Sequence, residues 1–121
     1  MRITRLSDTS SEPMASDHFA GAVSRRDYGA IETPPGSALR VRFPAGARTH
    51  WHAHPGGQVL YVTEGHGSVG TRDGRVEHTA AGDLVVTPPG EEHWHGAAAE
   101  GELEHLALSF GDTTWAEKVE D

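Results

Sequence analysis

The sequence predicts an all-β domain of the sandwich or barrel kind. Fifteen glycines and seven prolines interrupt the chain at short intervals, which leaves little room for helices. The runs between them are rich in Val, Leu, Tyr, Phe and Thr, the residue types that suit pleated, half-buried strands. With 121 residues and no shift in composition, the chain has the length of one domain that can bury its own core.

The first part of the chain is predicted to lead into this domain. Residues 7–18 are polar, so we expect residues 1–20 to be loosely held and partly flexible, and the domain proper to span residues 21–112. Its clearest strand is predicted at residues 37–43. There Leu39, Val41 and Phe43 alternate with two arginines and would share one buried face.

Three more strands and one turn follow in order. Residues 58–63 are predicted to form a strand, and the Asp-Gly pair within residues 71–75 indicates a hairpin turn. Residues 83–87, which end at two prolines, and residues 103–110 are the next predicted strands.

Only the end of the chain has a helical pattern. Trp115 and Val119 lie four residues apart and would share one face of a helix. We therefore expect a short C-terminal helix over residues 113–121.

The composition limits which metals, macromolecules and membranes the protein is expected to bind. The chain has no cysteine, so any bound metal must be held by nitrogen and oxygen ligands. Eighteen acidic and ten basic residues give a net charge of −8, which disfavours nucleic acid. No apolar stretch is long enough for a signal peptide or a membrane span, so the expectation is a soluble cytoplasmic protein with no membrane partner.

Histidines are concentrated where a metal could use them. Five of the nine lie within residues 48–58 and 89–96. Alternate residues of a strand point the same way, so His50, His52 and His54 would share a face. At the rise of an extended chain, His50 and His54 are roughly 13 Å apart, so one ion could take only a neighbouring pair. The sequence does not assign a role to His50.

Two further histidines are candidates for acid–base chemistry. His95 lies two residues after His93 and would point the same way into the interior. His105 lies in the last predicted strand, on one face with Leu103 and Ala107. An inward-facing imidazole in such a setting can accept or donate a proton near neutral pH.

The spacing around these histidines forms two ordered motifs, Gly46-x5-His52-x-His54-x3-Gln58-x6-Gly65 and Gly82-x5-Pro88-x-Gly90-x2-His93. They resemble the paired motifs of the cupin superfamily, small single-domain β-barrels of the jelly-roll kind, and the resemblance covers residues 46–97. It implies a metal held by His52, His54, Gln58 and His93. Two positions depart from the family pattern: Gln58 stands where most members have Glu, and Ala97 where the second motif often ends in Asn.

The glutamine changes the charge of the implied site. Three imidazoles and an amide leave a divalent ion its full positive charge, which favours an anion at the open positions. By resemblance Mn²⁺ or Fe²⁺ is the favoured ion, and Ni²⁺ and Zn²⁺ also suit these ligands.

Residues 51–58 and 89–98 are similar to a bacterial subgroup of small cupins that includes manganese-dependent hydroxynitrile lyases. The resemblance implies a Lewis-acid lyase or isomerase acting on a small hydroxy- or oxo-compound, with His95 or His105 taking a proton. Two alternatives stay open: an Fe²⁺-dependent dioxygenase, and a non-enzymatic module that binds a small molecule. Cupins commonly pair through a flat sheet, so the resemblance also implies a homodimer, formed here by the N-terminal strands.

Overall fold

The fold was determined as a computed structural model that describes residue 2, residues 4–32 and residues 34–120, without the side chains of residues 31 and 32. A 3-10 turn, Leu6–Asp8, precedes twelve strands. These are β1 (Glu12–Pro13), β2 (Phe19–Ala20), β3 (Ser24–Glu32), β4 (Pro35–Phe43), β5 (Arg48–Thr49), β6 (His52–Ala53), β7 (Gln58–Thr71), β8 (Val76–Ala80), β9 (Leu84–Thr87), β10 (His93–Ala97), β11 (Leu103–Phe110) and β12 (Thr114–Trp115).

The strands form two faces of one curled antiparallel sheet, joined by the long strand β7. On one face β9, β11, β4, β3 and β1 extend from the first half of β7. On the other face β8 and β10 pair with the second half of β7, and β5, β6, β2 and β12 follow outward. The all-β fold predicted from the sequence is confirmed.

The bend in β7 occurs at Gly65, a position that requires glycine. Gly65 has φ +81°, and an added Cβ would lie 1.9 Å from the carbonyl oxygen of Glu102. Both the left-handed backbone and this close approach require glycine. The bend turns one continuous strand from the first face of the sheet to the second.

The hydrophobic core fills one end of the space between the two faces. Phe43 and Val41 of β4 are buried there with Leu103 of β11 and Val62 of β7. Leu39 is only partly buried and packs against this cluster. The predicted alternation of β4 is therefore confirmed, and the same alternation in β11 turns Leu103, His105, Ala107 and Ser109 inward.

The predicted C-terminal helix is wrong over the described residues 113–120. Thr114 and Trp115 instead form β12, which pairs with β6. The amide of Ala116 donates to the carbonyl of Trp51, at 2.8 Å, and the amide of Trp51 donates to Glu117, at 3.0 Å. A nine-residue helix is marginal by itself, so the open edge of β6 and the burial of the Trp115 ring determine the conformation.

Side chains hold this C-terminal segment in place. The guanidinium of Arg72 donates to both carboxylate oxygens of Glu117, at 2.7 and 3.0 Å, and to Glu92, at 3.0 Å. It also lies 4.1 Å from the ring centre of Trp51, a cation–π distance. Through Arg72, the segment after β11 is thus linked to Glu92 and Trp51, which precede β10 and β6.

The lead-in also takes part in the fold. β1 pairs with β3 and β2 pairs with β5, while Met14 and Phe19 pack against the core. Within the described residues, no helix combines the length and apolar character that crossing a bilayer requires.

Candidate metal centre

Two neighbouring strands bring the predicted ligands together. His52 of β6 is directly opposite His93 of β10 in the antiparallel register. A turn then returns the chain from His54 to Gln58, the first residue of β7. Gly57 makes this turn with φ +86°, and its amide donates to the carbonyl of His54 at 3.0 Å.

The side chains of these residues converge at a buried site. Possible ligand atoms of His52, His93 and His95 all lie within 4.8 Å of one another. The Nε2 atom of His93 lies 3.0 Å from Oε1 of Gln58. The ring of His54 is centred 5.1 Å from that of His52. The structure therefore brings together all four residues that the resemblance implied, with His95 beside them.

In three of the four predicted ligands, the histidines, Nδ1 contacts a group that lies outside the cluster. Nδ1 of His52 is 2.9 Å from the carbonyl oxygen of His50, and Nδ1 of His93 is 3.1 Å from that of Glu91. Nδ1 of His54 is 3.2 Å from the hydroxyl of Thr113, while its Nε2 is buried with no hydrogen-bond partner. Metal-ligating histidines typically show this pattern, with Nδ1 fixed from outside and Nε2 left for the ion.

The contact between His93 and Gln58 fits a shared cation. A neutral His93 that donates Nδ1–H to Glu91 has only a lone pair at Nε2, which then faces another acceptor, Oε1 of Gln58, at 3.0 Å. A divalent cation held by both atoms would turn this repulsion into attraction.

The amide of Gln58 is held in that orientation from behind. Its Nε2 donates to the hydroxyl of Ser109, 2.9 Å away and buried, so Oε1 points toward His93. Ser109 was not among the predicted site residues, although the alternation of β11 places it on the same face as His105. Thr113 was also missed, and no local signal could have found it because its position depends on the C-terminal segment.

His95 and His105 lie next to the cluster and form a second pair. Their ring centres are 4.9 Å apart, and that of His105 is 5.2 Å from the ring of Phe43. Both nitrogens of His95 and Nε2 of His105 are buried without a hydrogen-bond partner. The predicted inward direction of both side chains is confirmed, since both are buried, and each ring has at least one nitrogen without a hydrogen-bond partner among the described residues.

Burial keeps all these imidazoles neutral. It lowers the pKa of His52 to about 3 and that of His54 to about 4, in both cases helped by repulsion from His93. Burial also lowers the pKa of His93 and lowers that of His95 well below its ordinary value, and it lowers the pKa of His105 to about 4. Neutral imidazole is both the metal-binding form and the form that accepts a proton.

These lowered pKa values predict acid sensitivity of the metal-free protein. An unfolded histidine has a pKa of about 6.5, so between about pH 6.5 and 4 the unfolded chain binds protons that the folded chain excludes. Stability is therefore complete above pH 6.5 and is lost as the pH falls, by up to about 1.4 kcal/mol per pH unit for each such histidine. Urea unfolding at a series of pH values measures this slope, and a stability unchanged between pH 7 and 5 would contradict it.

Beside the histidines is a small cavity of about 80 Å³. Its polar wall includes His52, His54, His95 and His105, and its apolar wall includes Leu39, Val41, Phe43 and Trp115. His50 does not line this cavity. Its carbonyl contacts Nδ1 of His52, and its amide donates to the carbonyl of His18 at 3.0 Å.

Fold and site together define a cupin. A family model described as Cupin domain matches residues 39–109, and the chain belongs to this family. Among curated proteins, (R)-mandelonitrile lyase of Granulicella tundricola is 40% identical over 127 aligned positions, which cover all of this chain and 96% of that protein.

Solved structures show the same fold. A cupin-like protein from Thermotoga maritima superposes with a TM-score of 0.85 and 38% identity, over 90% of this chain and 86% of that one. The polyketide cyclase RemF from Streptomyces resistomycificus superposes with a TM-score of 0.77 over 100% of this chain and 87% of that one. At 20% identity, RemF shares the fold alone.

Proposed function

We propose that this protein is a metal-dependent lyase that cleaves small α-hydroxynitriles into hydrogen cyanide and an aldehyde or ketone. The observation that carries the proposal is the pair His95 and His105, whose side chains line a cavity beside the converging ligand atoms and which together have three buried nitrogens without a hydrogen-bond partner among the described residues. The full-length similarity to a mandelonitrile lyase supports it.

The ion is proposed to be held by His52, His54, His93 and Gln58. The outer contacts to Nδ1 of the three histidines support this set over one that includes His95, because neither ring nitrogen of His95 is held from outside. An amide oxygen beside imidazole nitrogens suits Mn²⁺ or Fe²⁺. Because all four ligands are neutral, they leave the positive charge of the ion undiminished for an anion. When bound, such an ion supplies a Lewis acid that lowers the pKa of a substrate hydroxyl.

The remaining residues handle the proton. A free nitrogen of His95, assisted by His105, accepts the hydroxyl proton of the substrate. The bond to the nitrile carbon then breaks, its electron pair leaves with cyanide, and the oxygen forms the carbonyl double bond. The imidazolium returns its proton to cyanide, so hydrogen cyanide leaves and the histidine is neutral again. The apolar wall formed by Val41 and Phe43 excludes water from this exchange.

A cyanide-release assay, run on matched samples with and without oxygen and with oxygen uptake recorded, tests the proposal. Protein loaded with Mn²⁺ should release cyanide from 2-hydroxypropanenitrile without consuming oxygen, and the same protein stripped by a chelator should not. A sample that releases no cyanide above the stripped control would contradict the lyase. Oxygen uptake that occurs when the protein is loaded with Fe²⁺ but not when it is loaded with Mn²⁺ would instead indicate the dioxygenase.

Ser109→Ala should weaken metal binding by about 10- to 100-fold, the usual effect of losing a group that orients a ligand. The variant removes the acceptor that holds the Gln58 amide with its oxygen inward. Titration with Mn²⁺ followed by calorimetry measures the change. Ser68→Ala, which removes a hydroxyl that contacts His78 on the exposed side of the sheet, should bind metal as the parent does. Equal affinity of the two variants would show that Ser109 does not position Gln58.

We also propose a homodimer formed through the outer face of β7 and β9. Tyr61, Leu84 and Val86 are 45%, 61% and 65% exposed there on neighbouring strands, which leaves an apolar surface that a second copy would cover. The outer face of the N-terminal strands, where the sequence analysis placed the interface, carries ion-paired arginines, including Arg40 bound to Glu104.

Sedimentation analysis tests the dimer. The parent should be dimeric and Val86→Glu monomeric, whereas Val76→Glu, at a similarly exposed position on β8, should stay dimeric. A monomeric parent would contradict the proposal.

A further inference from the structure

We infer that the cavity admits small aliphatic α-hydroxynitriles and excludes aromatic ones, and that Leu39 sets this limit. The inference rests on the proposed function and names the substrate class of the same site. A preference for aliphatic substrates would distinguish this protein from (R)-mandelonitrile lyase, the relative whose name specifies an aromatic substrate.

Volume is the first argument. The cavity beside the histidines measures about 80 Å³. A protein cavity that binds benzene measures about 150 Å³. A methyl or ethyl group beside a carbinol carbon can therefore be placed next to the histidines, whereas a phenyl ring needs a wall to move.

The deep part of the cavity cannot supply that space. Its buried lining includes His52, His95, His105, Phe43 and Thr49. Phe43 lies edge-on to both His95 and His105, with ring centres 5.9 and 5.2 Å away. Any shift of this ring would displace the proposed proton acceptors.

The partly exposed residues at the rim are Met14, Ser37, Leu39, Thr113 and Trp115. Trp115 is fixed, because its ring stacks on that of His18 with centres 4.3 Å apart and lies 4.8 Å from that of His52. Its backbone is also part of β12, paired with β6. The rim therefore cannot open on this side.

Leu39 occupies the opposite side of the rim and is the residue that limits size. Its strand β4 is paired on both sides, opposite Asp27 of β3 and Ala107 of β11, so the backbone cannot retreat. The branched side chain of Leu39 reaches the same cavity as His105 and Trp115. Shortening it to alanine removes three carbon atoms from the wall without touching a proposed ligand.

The test compares two substrates that differ only in methyl against phenyl. The parent should cleave 2-hydroxypropanenitrile with a kcat/KM at least about 100-fold above that for mandelonitrile, since one badly fitting carbon group already costs 10-fold or more. Leu39→Ala should narrow this ratio at least about tenfold. Leu108→Ala, the same change on the outer side of β11, should leave the ratio as it is. Because each ratio is taken on one sample, a partly unfolded variant does not distort it.

A binding measurement separates this inference from the lyase proposal. Lactate and mandelate carry a carboxylate where the two substrates carry a nitrile, and calorimetry of the Mn²⁺-loaded protein gives their dissociation constants. Lactate should bind more tightly in the parent, and Leu39→Ala should reduce the difference. That result without any cyanide release would overturn the lyase but support the size limit. Equal turnover of both nitriles, or equal binding of both acids, would overturn the size limit.

Discussion

His93→Ala should remove metal binding and with it cyanide release. His93 lies at the centre of the cluster, opposite His52 and in contact with Gln58, so its loss takes one of four proposed ligands and leaves the Gln58 oxygen without its partner. Loss of an orienting neighbour alone costs 10- to 100-fold in affinity, so loss of a ligand should exceed about 100-fold. Metal analysis after dialysis measures this as a fall from about one ion per chain to a trace.

The control for this variant is His66→Ala, which removes an exposed histidine of β7 away from the cluster. It should retain both metal and activity. If His93→Ala kept a full complement of metal, the proposed ligand set would be wrong. The inference that His93 and Gln58 share a cation would then be wrong as well.

His95→Gln should abolish turnover while the metal stays bound. His95 has two unpartnered nitrogens and no outer contact, which fits a proton acceptor better than a ligand. Loss of a general base lowers kcat by about 10²- to 10⁴-fold, whereas metal content and the dissociation constant of lactate should change little. Steady-state kinetics, metal analysis and calorimetry on the same preparation measure the three quantities.

The other outcomes of His95→Gln are equally informative. Loss of the ion would place His95 in the ligand set with His52 and His93, as their mutual distances also allow. Loss of lactate affinity in a protein that never turned over substrate would indicate the non-enzymatic binding module. His66→Gln is the matched control and should alter none of the three quantities.

Two kinds of reasoning predicted parts of the site from the sequence. Alternation along an extended chain fixes which side chains of β4, β10 and β11 face inward, and it needs only neighbouring residues. The set of four proposed ligands was instead implied by the resemblance of two motifs to those of cupins.

The parts that the sequence did not predict depend on distant partners. The Trp115 and Val119 pair is compatible with a helix, but the exposed edge of β6 pairs with this segment as a strand. Met14 lies in a polar stretch, and its place at the cavity rim follows from the pairing of β1 with β3 and from packing on the core. In each case a tertiary contact overrode the local pattern.

Both ends of the chain contribute to the cavity rim, Met14 from one and Trp115 from the other. The wall that an incoming molecule meets first is therefore assembled from segments that are about a hundred residues apart in the sequence. A substitution at either position would change access to the histidines without replacing a proposed ligand.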